Sequence, residues 1–478
     1  MRTIGIDLAI TGRHQAVVVD EQGNTIGRPF RFDTEPAQLD KLLDYARAGV
    51  DEKTPAQGIM EPTGLSWHPV ACYLVQRDVT VYLVNTQRIA DLRKYYSKHA
   101  KSDRISARVL ARLPWADPDA LHPLHLAGAD HPFDRLRTPL SGQRWCKQQE
   151  ELAELMTAVK NRVQAAERGF WPGLEEVVDD LWAPWMRRWR EAWYDPWQLQ
   201  DAEITQLTDF LVEAGADPEQ AEKLASGLQA VARRAVALFG TPHGGCSPYV
   251  DYTTLQDQVL RELRLLACYE DEHQAVQQKV RTLYRQVHPT RHLETIYGVG
   301  QDGAAVYVFP STSSGRRFIG DVTRFALQKE FRGWSGMVPE SDQSGEMEKK
   351  GLRITKAGPN LVKHYAYMNA EVARQWDPQI AAIYYTQMVH HGKHHTQAVC
   401  CCATHLLDRV RAVLRDGRPY ELRDVDGTPV TWDQARDIIA ERYHVPKEVR
   451  QRNSARARKR RRDKRAEKKR KRRSRPAR

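Results

Sequence analysis

The stretch Arg2-Thr3-Ile4-Gly5-Ile6-Asp7-Leu8-Ala9 decides how this chain is read. It is a short apolar run of strand length, with one acid near its end. A second such run covers residues 14–20. Gln22-Gly23-Asn24 then offers a tight turn into a third, over residues 25–32, because glycine and asparagine accept the left-handed backbone of a hairpin turn. Helical spacing takes over across residues 35–48, with Leu39, Leu42, Leu43 and Tyr45 available to pack. Residues 57–60 read as a buried strand that ends at Glu61-Pro62-Thr63-Gly64. Residues 67–76 read as helix and 79–84 as strand, and two further helices are expected from Gln87 and from Ser102.

Three strands in a meander, followed by helix, strand, helix, strand and helices, is the ribonuclease-H-like order. A doubly wound sheet would alternate strictly. The expected fold class is α/β plus α: a ribonuclease-H-like (RuvC-like) domain over residues 1–113, a long helical or coiled-coil middle, and a mostly helical C-terminal domain. Residues 114–140 are rich in Pro, His, Asp and Gly and read as a linker. From residue 142 to 168, Leu152, Leu155, Met156, Val159, Val163 and Ala166 recur at helical spacing, and residues 253–287 form a second long amphipathic pattern. Between them lies a Trp-rich insert containing Trp171, Trp182, Trp185, Trp189, Trp193 and Trp197, read as core, and Asp217-Pro218 suits a helix start. The two long helices of this middle region, residues 141–290, suit either a helical hairpin or a coiled-coil dimer arm. Composition changes again at residue 291, where a compact helical domain runs to 414, followed by an appended segment, 415–446, and a basic tail, 447–478.

That tail holds nearly all the net positive charge. Residues 447–478 carry 19 Lys or Arg against 3 acids, whereas the remainder carries 54 basic against 58 acidic residues. Arg458-Lys459-Arg460-Arg461-Arg462 repels itself, so the tail is expected to be disordered when free and to grip polyanions through counterion release, without reading sequence. No run of about 18 apolar residues suggests a membrane span. Seven cysteines, three of them consecutive at Cys400, Cys401 and Cys402, make no disulfide framework, so a reducing cytoplasm is expected.

Three acids stand where the expected topology would gather them. Asp7 lies in the first strand, Glu61 at the end of the fourth, and Asp103 at the start of a helix. Phosphodiester chemistry favours hard oxygen ligands around one or two Mg²⁺ ions, and carboxylates crowded without metal repel one another. Each acid alone also fits a cap or a surface position. An Asp in such a strand equally fits a sugar-kinase or actin-like ATPase, although no phosphate-cradling Gly-rich loop lies near Asp7.

Gly5-Ile6-Asp7, Glu61-Pro62-Thr63-Gly64, Val84-Asn85 and Lys101-Ser102-Asp103-Arg104-Ile105 together resemble the DEDD transposases of the insertion sequence 110 type. The C-terminal half resembles them as well, through Ile296-Tyr297-Gly298-Val299-Gly300, Arg317-Phe318, Gly333-Trp334-Ser335-Gly336-Met337-Val338-Pro339, Ser344-Gly345 and Ile354-Thr355-Lys356-Ala357-Gly358. The resemblance implies a site-specific recombinase that excises and inserts its own element. It further implies guidance by a structured noncoding bridge RNA that pairs with target and donor DNA. Its composite active site would join the acids, with their Mg²⁺, to a serine from a partner subunit, and hence a homo-oligomer, dimer or tetramer. On that pattern Asp7, Glu61 and Asp103 are the first three acids and Ser344 is the nucleophile.

Two positions depart from the pattern. The fourth acid falls at Ser106, whose neutral hydroxyl is a weaker Mg²⁺ ligand than a carboxylate. A Lys or similar residue commonly follows the first acidic strand, and Ile10-Thr11 stands there.

Around Ser344 the sequence is polar and loop-like, and Lys349, Lys350, Arg353 and Lys356 are positioned to offset charge on a phosphoryl transition state. A serine hydroxyl needs activation, and no His is close in sequence. Gly298-Val299-Gly300 resembles a helix–hairpin–helix turn whose N–H groups hold phosphate, and a plain tight turn fits equally. His390, His391, His394 and His395, with Cys400 to Cys402 and His405, match no standard zinc spacing and are read as packing and surface residues. Two other function classes remain open: a Holliday-junction-type nuclease that uses only the acids, and a catalytically impaired nucleic-acid-binding relative.

Overall fold

The computed structural model describes residues 1–473 apart from 52–53, 85, 97–101, 119–120, 122, 125–133, 241–248, 310–321, 323–324, 326, 341–342, 345–346, 349–351 and 356–357. Backbone contacts divide the chain into two compact units, one of residues 1–146 with 280–478, the other of residues 147–279.

The first unit opens with strands β1 (Arg2–Asp7), β2 (His14–Val19) and β3 (Thr25–Phe32), helix α1 (Pro36–Arg47), β4 (Ala56–Met60), α2 (Trp67–Val75) and β5 (Val79–Leu83). Helices α3 (Thr86–Tyr96), α4 (Asp103–Ala111) and α5 (Leu113–Ala116) follow. The sheet order is β3-β2-β1-β4-β5. β1 and β2 are antiparallel, as are β2 and β3, while β1 runs parallel to β4 and β4 parallel to β5. The meander read from Gln22-Gly23-Asn24 is present, with Gly23 at φ +84° in the turn. β2 and β4 are buried along their whole length, as expected for inner strands with both faces covered. One face packs on α1 and α2 through Leu39, Leu42, Leu43, Val70 and Leu74. The other carries α4, whose Ala107 and Ala111 rest on Val17 and Val19.

Gly5 is what lets α4 approach so closely. A Cβ there would lie 2.1 Å from the Ala107 carbonyl oxygen and 2.2 Å from the Ala111 nitrogen. The direction of α4 follows from its far end, where a Cβ on Gly23 would sit 3.6 Å from the Trp115 ring of α5. Gly23 follows Val19, which pairs with Thr3 near the start of β1. The N-terminus of α4 therefore lies at the opposite end of β1, where Asp7 is.

The second unit contains most of α6 (Asp134–Phe170) and α12 (Tyr252–Val287), with α7 (Leu174–Val177), α8 (Pro184–Ala192), α9 (Pro196–Asp201), α10 (Ile204–Ala214) and α11 (Pro218–Phe239) between them. Arg162 pairs with Glu262, and Lys160 with Glu270. These are contacts between the two long helices of one chain. Trp171 and Trp189 are fully buried, Trp185 and Trp193 nearly so, and all four belong to one apolar cluster with Tyr194 and Tyr252, so the Trp-rich insert is core. Asp217 caps α11, its carboxylate accepting from the Glu219 N–H.

The rest of the first unit holds α13 (Gln301–Val308), α14 (Gln328–Ser335), strands β6 (Gln343–Ser344) and β7 (Met347–Glu348), α15 (Asn360–Ala373), α16 (Pro378–Tyr385), α17 (His395–Asp416), α18 (Trp432–Arg442) and α19 (Lys447–Arg473). Two expectations about the chain are corrected. α6 begins at Asp134, inside the segment read as a linker. The tail read as disordered is helical from Lys447 to Arg473, because its first turns are held by tertiary contacts that a charge count does not register. No described helix is long and apolar enough to cross a membrane.

Candidate active site

Parallel pairing sets the first two acids beside each other. Arg2 faces Ala56 and Ile6 faces Met60, and continuing that register by one residue sets Asp7 against Glu61. Residues in register on neighbouring parallel strands point to the same face, with the strands about 4.8 Å apart. The loop after Glu61 turns back sharply, Gly64 adopting φ +54°. It meets the loop after β1, since a Cβ on Gly64 would lie 4.0 Å from Ile10. Ile10, which stands where the sequence pattern would have a cation, is 73% exposed, and Leu65 is 57% exposed.

The loop that carries Asp7 away from β1 is pinned by His14. Its Nδ1 accepts the Ala9 N–H at 3.1 Å, and its Nε2 lies 2.7 Å from the Thr34 hydroxyl. A backbone N–H only donates, so Nδ1 must be unprotonated here. Burial lowers the His14 pKa, with Asp33 opposing in part, which suits that neutral form.

Asp103 is the first residue of α4. The preceding Ser102 caps the helix, its hydroxyl accepting from the Ile105 N–H at 3.3 Å. Four helical residues separate Ala107 from Asp103, about 6 Å of rise, while two strand residues separate Gly5 from Asp7, about 6.6 Å. Asp103 thus comes to the same end of the sheet as Asp7 and Glu61, and it is exposed.

Ser106 is different in kind. It is 2% exposed, and its Oγ accepts a 3.0 Å hydrogen bond from Nη1 of Arg93 on α3. The hydroxyl considered as a fourth metal ligand is enclosed and already bonded to a cation.

Among the described residues, no group of three His, Cys, Asp or Glu is arranged to hold a metal ion. The three acids share one end of the sheet without closing into a three-carboxylate cage. Mg²⁺ is often bound through only one or two carboxylates, with water and substrate phosphate completing its octahedron. The in-register pair Asp7 and Glu61 fits that donor set.

Ser344 lies at the tip of a β-hairpin. It pairs with Met347, and Gln343 pairs with Glu348. Further down the arms, Pro339 bridges Ile354, and the Glu340 N–H donates to the Arg353 carbonyl at 2.8 Å. Thr404 of α17 holds the base, its hydroxyl donating to the Met337 carbonyl at 2.7 Å. The sequence suggested a loop; the backbone is a short two-stranded ribbon. Arg353 lies on the returning arm, with Nε 3.3 Å from Glu340. Lys349, Lys350 and Lys356 lie outside the described residues.

Gly298 and Gly300 form a turn whose conformation packing explains. Gly298 has φ +85°, and a Cβ there would lie 2.3 Å from the Asn369 carbonyl of α15, so no other residue fits. Gly300 precedes α13, whose first turn carries Asp302, paired to Arg281 through two 2.9 Å hydrogen bonds. That carboxylate already interacts favourably with the helix N-terminus. In the histidine and cysteine run, the His394 Nδ1 caps α17 by accepting from the Thr396 N–H, and His395 Nδ1 lies 2.8 Å from the Tyr384 hydroxyl. Cys402 is buried beside the Ile380 carbonyl. These are packing and capping roles.

Two family models match the chain. A transposase family model of the IS110 DEDD type matches residues 4–172, and a model of the transposase IS116/IS110/IS902 family matches residues 290–385. The chain belongs to the IS110-type transposases. As a transposase it is a DNA-cleaving and rejoining enzyme. It is 27% identical over 343 residues to the 43.6 kDa protein of insertion element IS110 from Streptomyces coelicolor, a match that covers 70% of this chain and 75% of that relative. The two family matches take in the acids and the serine hairpin. The Arg93 partner of Ser106 and the His14 pin had no local signal in the sequence, since both bonds join residues brought together only by folding.

Proposed function

We propose that this transposase cuts and rejoins DNA to excise and insert a mobile element, with Asp7 and Glu61 holding Mg²⁺ and Ser344 as the nucleophile. The observation that carries the reading is the parallel register that sets Asp7 beside Glu61 at the sheet end where α4 presents Asp103. A bound divalent ion would neutralise developing charge on the phosphoryl oxygens. Asp7 and Glu61 orient that ion from a rigid sheet. Asp103 adds negative charge and an acceptor for bound water at the same end. Arg93, held at Ser106, adds a fixed cation next to the first turn of α4.

Ser344, carried on a narrow hairpin tip, attacks phosphorus. The Oγ–P bond forms, the bond from phosphorus to the leaving sugar oxygen breaks, and that oxygen takes a proton as the serine loses one. A rejoining step reverses this order with a new sugar hydroxyl, so the bond energy is kept in the covalent adduct. Neither site serves alone in this scheme. We place the acids and the serine of one composite site on different subunits of a homo-oligomer, and assign the choice of DNA to a structured noncoding guide RNA. Family membership is what supports both assignments.

Trapping tests the scheme. Denatured reactions of the full chain with DNA bearing the element ends should yield a covalent protein–DNA adduct, absent in Ser344→Ala. An adduct at wild-type level in that variant would exclude the serine and favour a nuclease working through the acids alone. Co-purification of one defined RNA species tests the guide; purified protein that recombines DNA after ribonuclease treatment would contradict it.

A further inference from the structure

Helix α19 has a fixed base and, beyond Ala457, a shaft whose described residues are exposed as far as Asp463. At the base, Asn453 is 1% exposed, and its side-chain amide donates to the Met388 carbonyl at 2.8 Å and to the Lys393 carbonyl at 3.1 Å. Met388 belongs to a π-helical turn, Thr386–His390, closed by the His391 N–H bonding the Thr386 carbonyl. Such a helix end leaves carbonyls without intrahelical partners, and the two N–H donors of one amide group reach the Met388 carbonyl there and the Lys393 carbonyl of the loop that follows. Asn453 thereby fixes both the position and the rotational phase of α19. Beyond it, Arg456, Arg458, Lys459, Arg460, Arg461 and Arg462 are all exposed.

The distribution of that charge is the informative part. Successive helical residues are about 100° apart, so the five consecutive cations 458–462 surround the helix axis. A one-sided basic stripe would suit a flat array of phosphates. Charge on every side suits a channel with phosphates on both walls. It also makes the free helix self-repelling, because cations four residues apart, such as Arg458 and Arg462, destabilise it, and no apolar face compensates. The major groove of B-form DNA is about 12 Å wide and admits a helix about 10–12 Å across. The corresponding groove of an A-form RNA duplex is too narrow and deep. From residue 456 to 473 the shaft is about 27 Å long.

We infer that α19 is an anchored arm that lies in the major groove of duplex DNA and contacts phosphates on both walls without reading sequence. This rests on the DNA-handling reading above but not on the catalytic roles of Asp7, Glu61 or Ser344. The test is binding of the full chain to a B-form DNA duplex of arbitrary sequence, followed by fluorescence anisotropy between 50 and 200 mM salt, roughly a fourfold range. The comparison variant carries Arg458→Gln, Lys459→Gln, Arg460→Gln, Arg461→Gln and Arg462→Gln, which keep helix-forming side chains. Five fewer phosphate contacts should make the salt-induced loss of affinity about 500-fold smaller in the variant. Dimethyl sulfate should find guanine N7, in the major groove, protected by the wild type and not by the variant. Equal salt slopes, protection confined to the minor-groove adenine N3, or a variant that loses as much affinity for an A-form RNA duplex as for the DNA duplex would each overturn the proposal. Binding is read without cleavage, so an Asp7→Asn chain that binds as described but cannot cut would leave the arm standing.

Discussion

Arg93 and Ser106 are joined by a 3.0 Å hydrogen bond from guanidinium to hydroxyl, between α3 and the first turn of α4. The position expected to hold a fourth carboxylate is thereby committed to a cation from the protein itself. Ser106→Asp would place a new carboxylate against that guanidinium, where a charge-assisted pair forms before any ion arrives. Mn²⁺ affinity, measured by calorimetry, should change by less than about twofold, against the tenfold of 1.4 kcal/mol that a new ligand easily supplies. A tenfold tightening would place position 106 in the ion's coordination shell.

Gly5 should tolerate no side chain. The nearest atoms to an added Cβ are backbone, at 2.1 and 2.2 Å, and backbone cannot rotate aside. Gly5→Ala should destabilise the contact of α4 with the sheet by about 2–3 kcal/mol. Hydrogen exchange should show it as faster opening of β1 and α4, with the buried Trp cluster of the other unit unaffected. Wild-type protection in β1 would mean that α4 does not rest on Gly5.

Burial of Glu167 and Arg190 gives a double-mutant test in the helical unit. The two are 2% and 1% exposed and joined by hydrogen bonds of 2.6 and 2.9 Å. Arg190→Met leaves a buried carboxylate alone and should cost about 3–5 kcal/mol, whereas adding Glu167→Met should recover most of that loss. Urea unfolding of both variants decides it. Equal destabilisation by the single and the double change would show that packing, not charge, sets the cost.

The His14 pin predicts a pH dependence of known sign. Burial holds its pKa below the ordinary 6.5, so the unfolded chain takes up the proton first as pH falls. The stability His14 contributes is complete above about pH 6.5 and is lost as pH drops through the lowered value. His14→Gln should flatten the fall in urea midpoint between pH 7.5 and 5.5. A fall as steep as in the wild type would show that His14 is not the group responsible.

Much of the first domain was legible because its signals are local. The turn Gln22-Gly23-Asn24 and the period-two runs on either side give the meander, and β3 is found over Thr25–Phe32 as read. From that order alone Asp7 and Glu61 could be set on neighbouring strands. Long-range pairings were not legible. Nothing near Ser106 points to Arg93, thirteen residues away on another helix. Nothing in Arg458-Lys459-Arg460-Arg461-Arg462 announces that Asn453 anchors the helix below it. Self-repulsion argued for disorder there, and a tertiary hydrogen bond to an orphaned carbonyl outweighed it. The start of α6 was missed because Pro and Gly in the segment before it are loop signals, whereas the helix at 134–170 continues through Pro139 and Gly142.

The central claim, that Asp7 and Glu61 together form the acidic half of the DNA-cutting site, is tested most directly by strand scission. Cleavage of element-end DNA in Mg²⁺ should be compared among wild type, Asp7→Asn and Glu61→Gln, each checked for an unchanged circular dichroism spectrum. Both substitutions keep shape and remove charge, so each should slow cleavage by about a thousandfold, the ~4 kcal/mol expected when a charge-stabilising group at the reacting phosphate is lost. Cleavage at the wild-type rate in either folded variant would contradict the account.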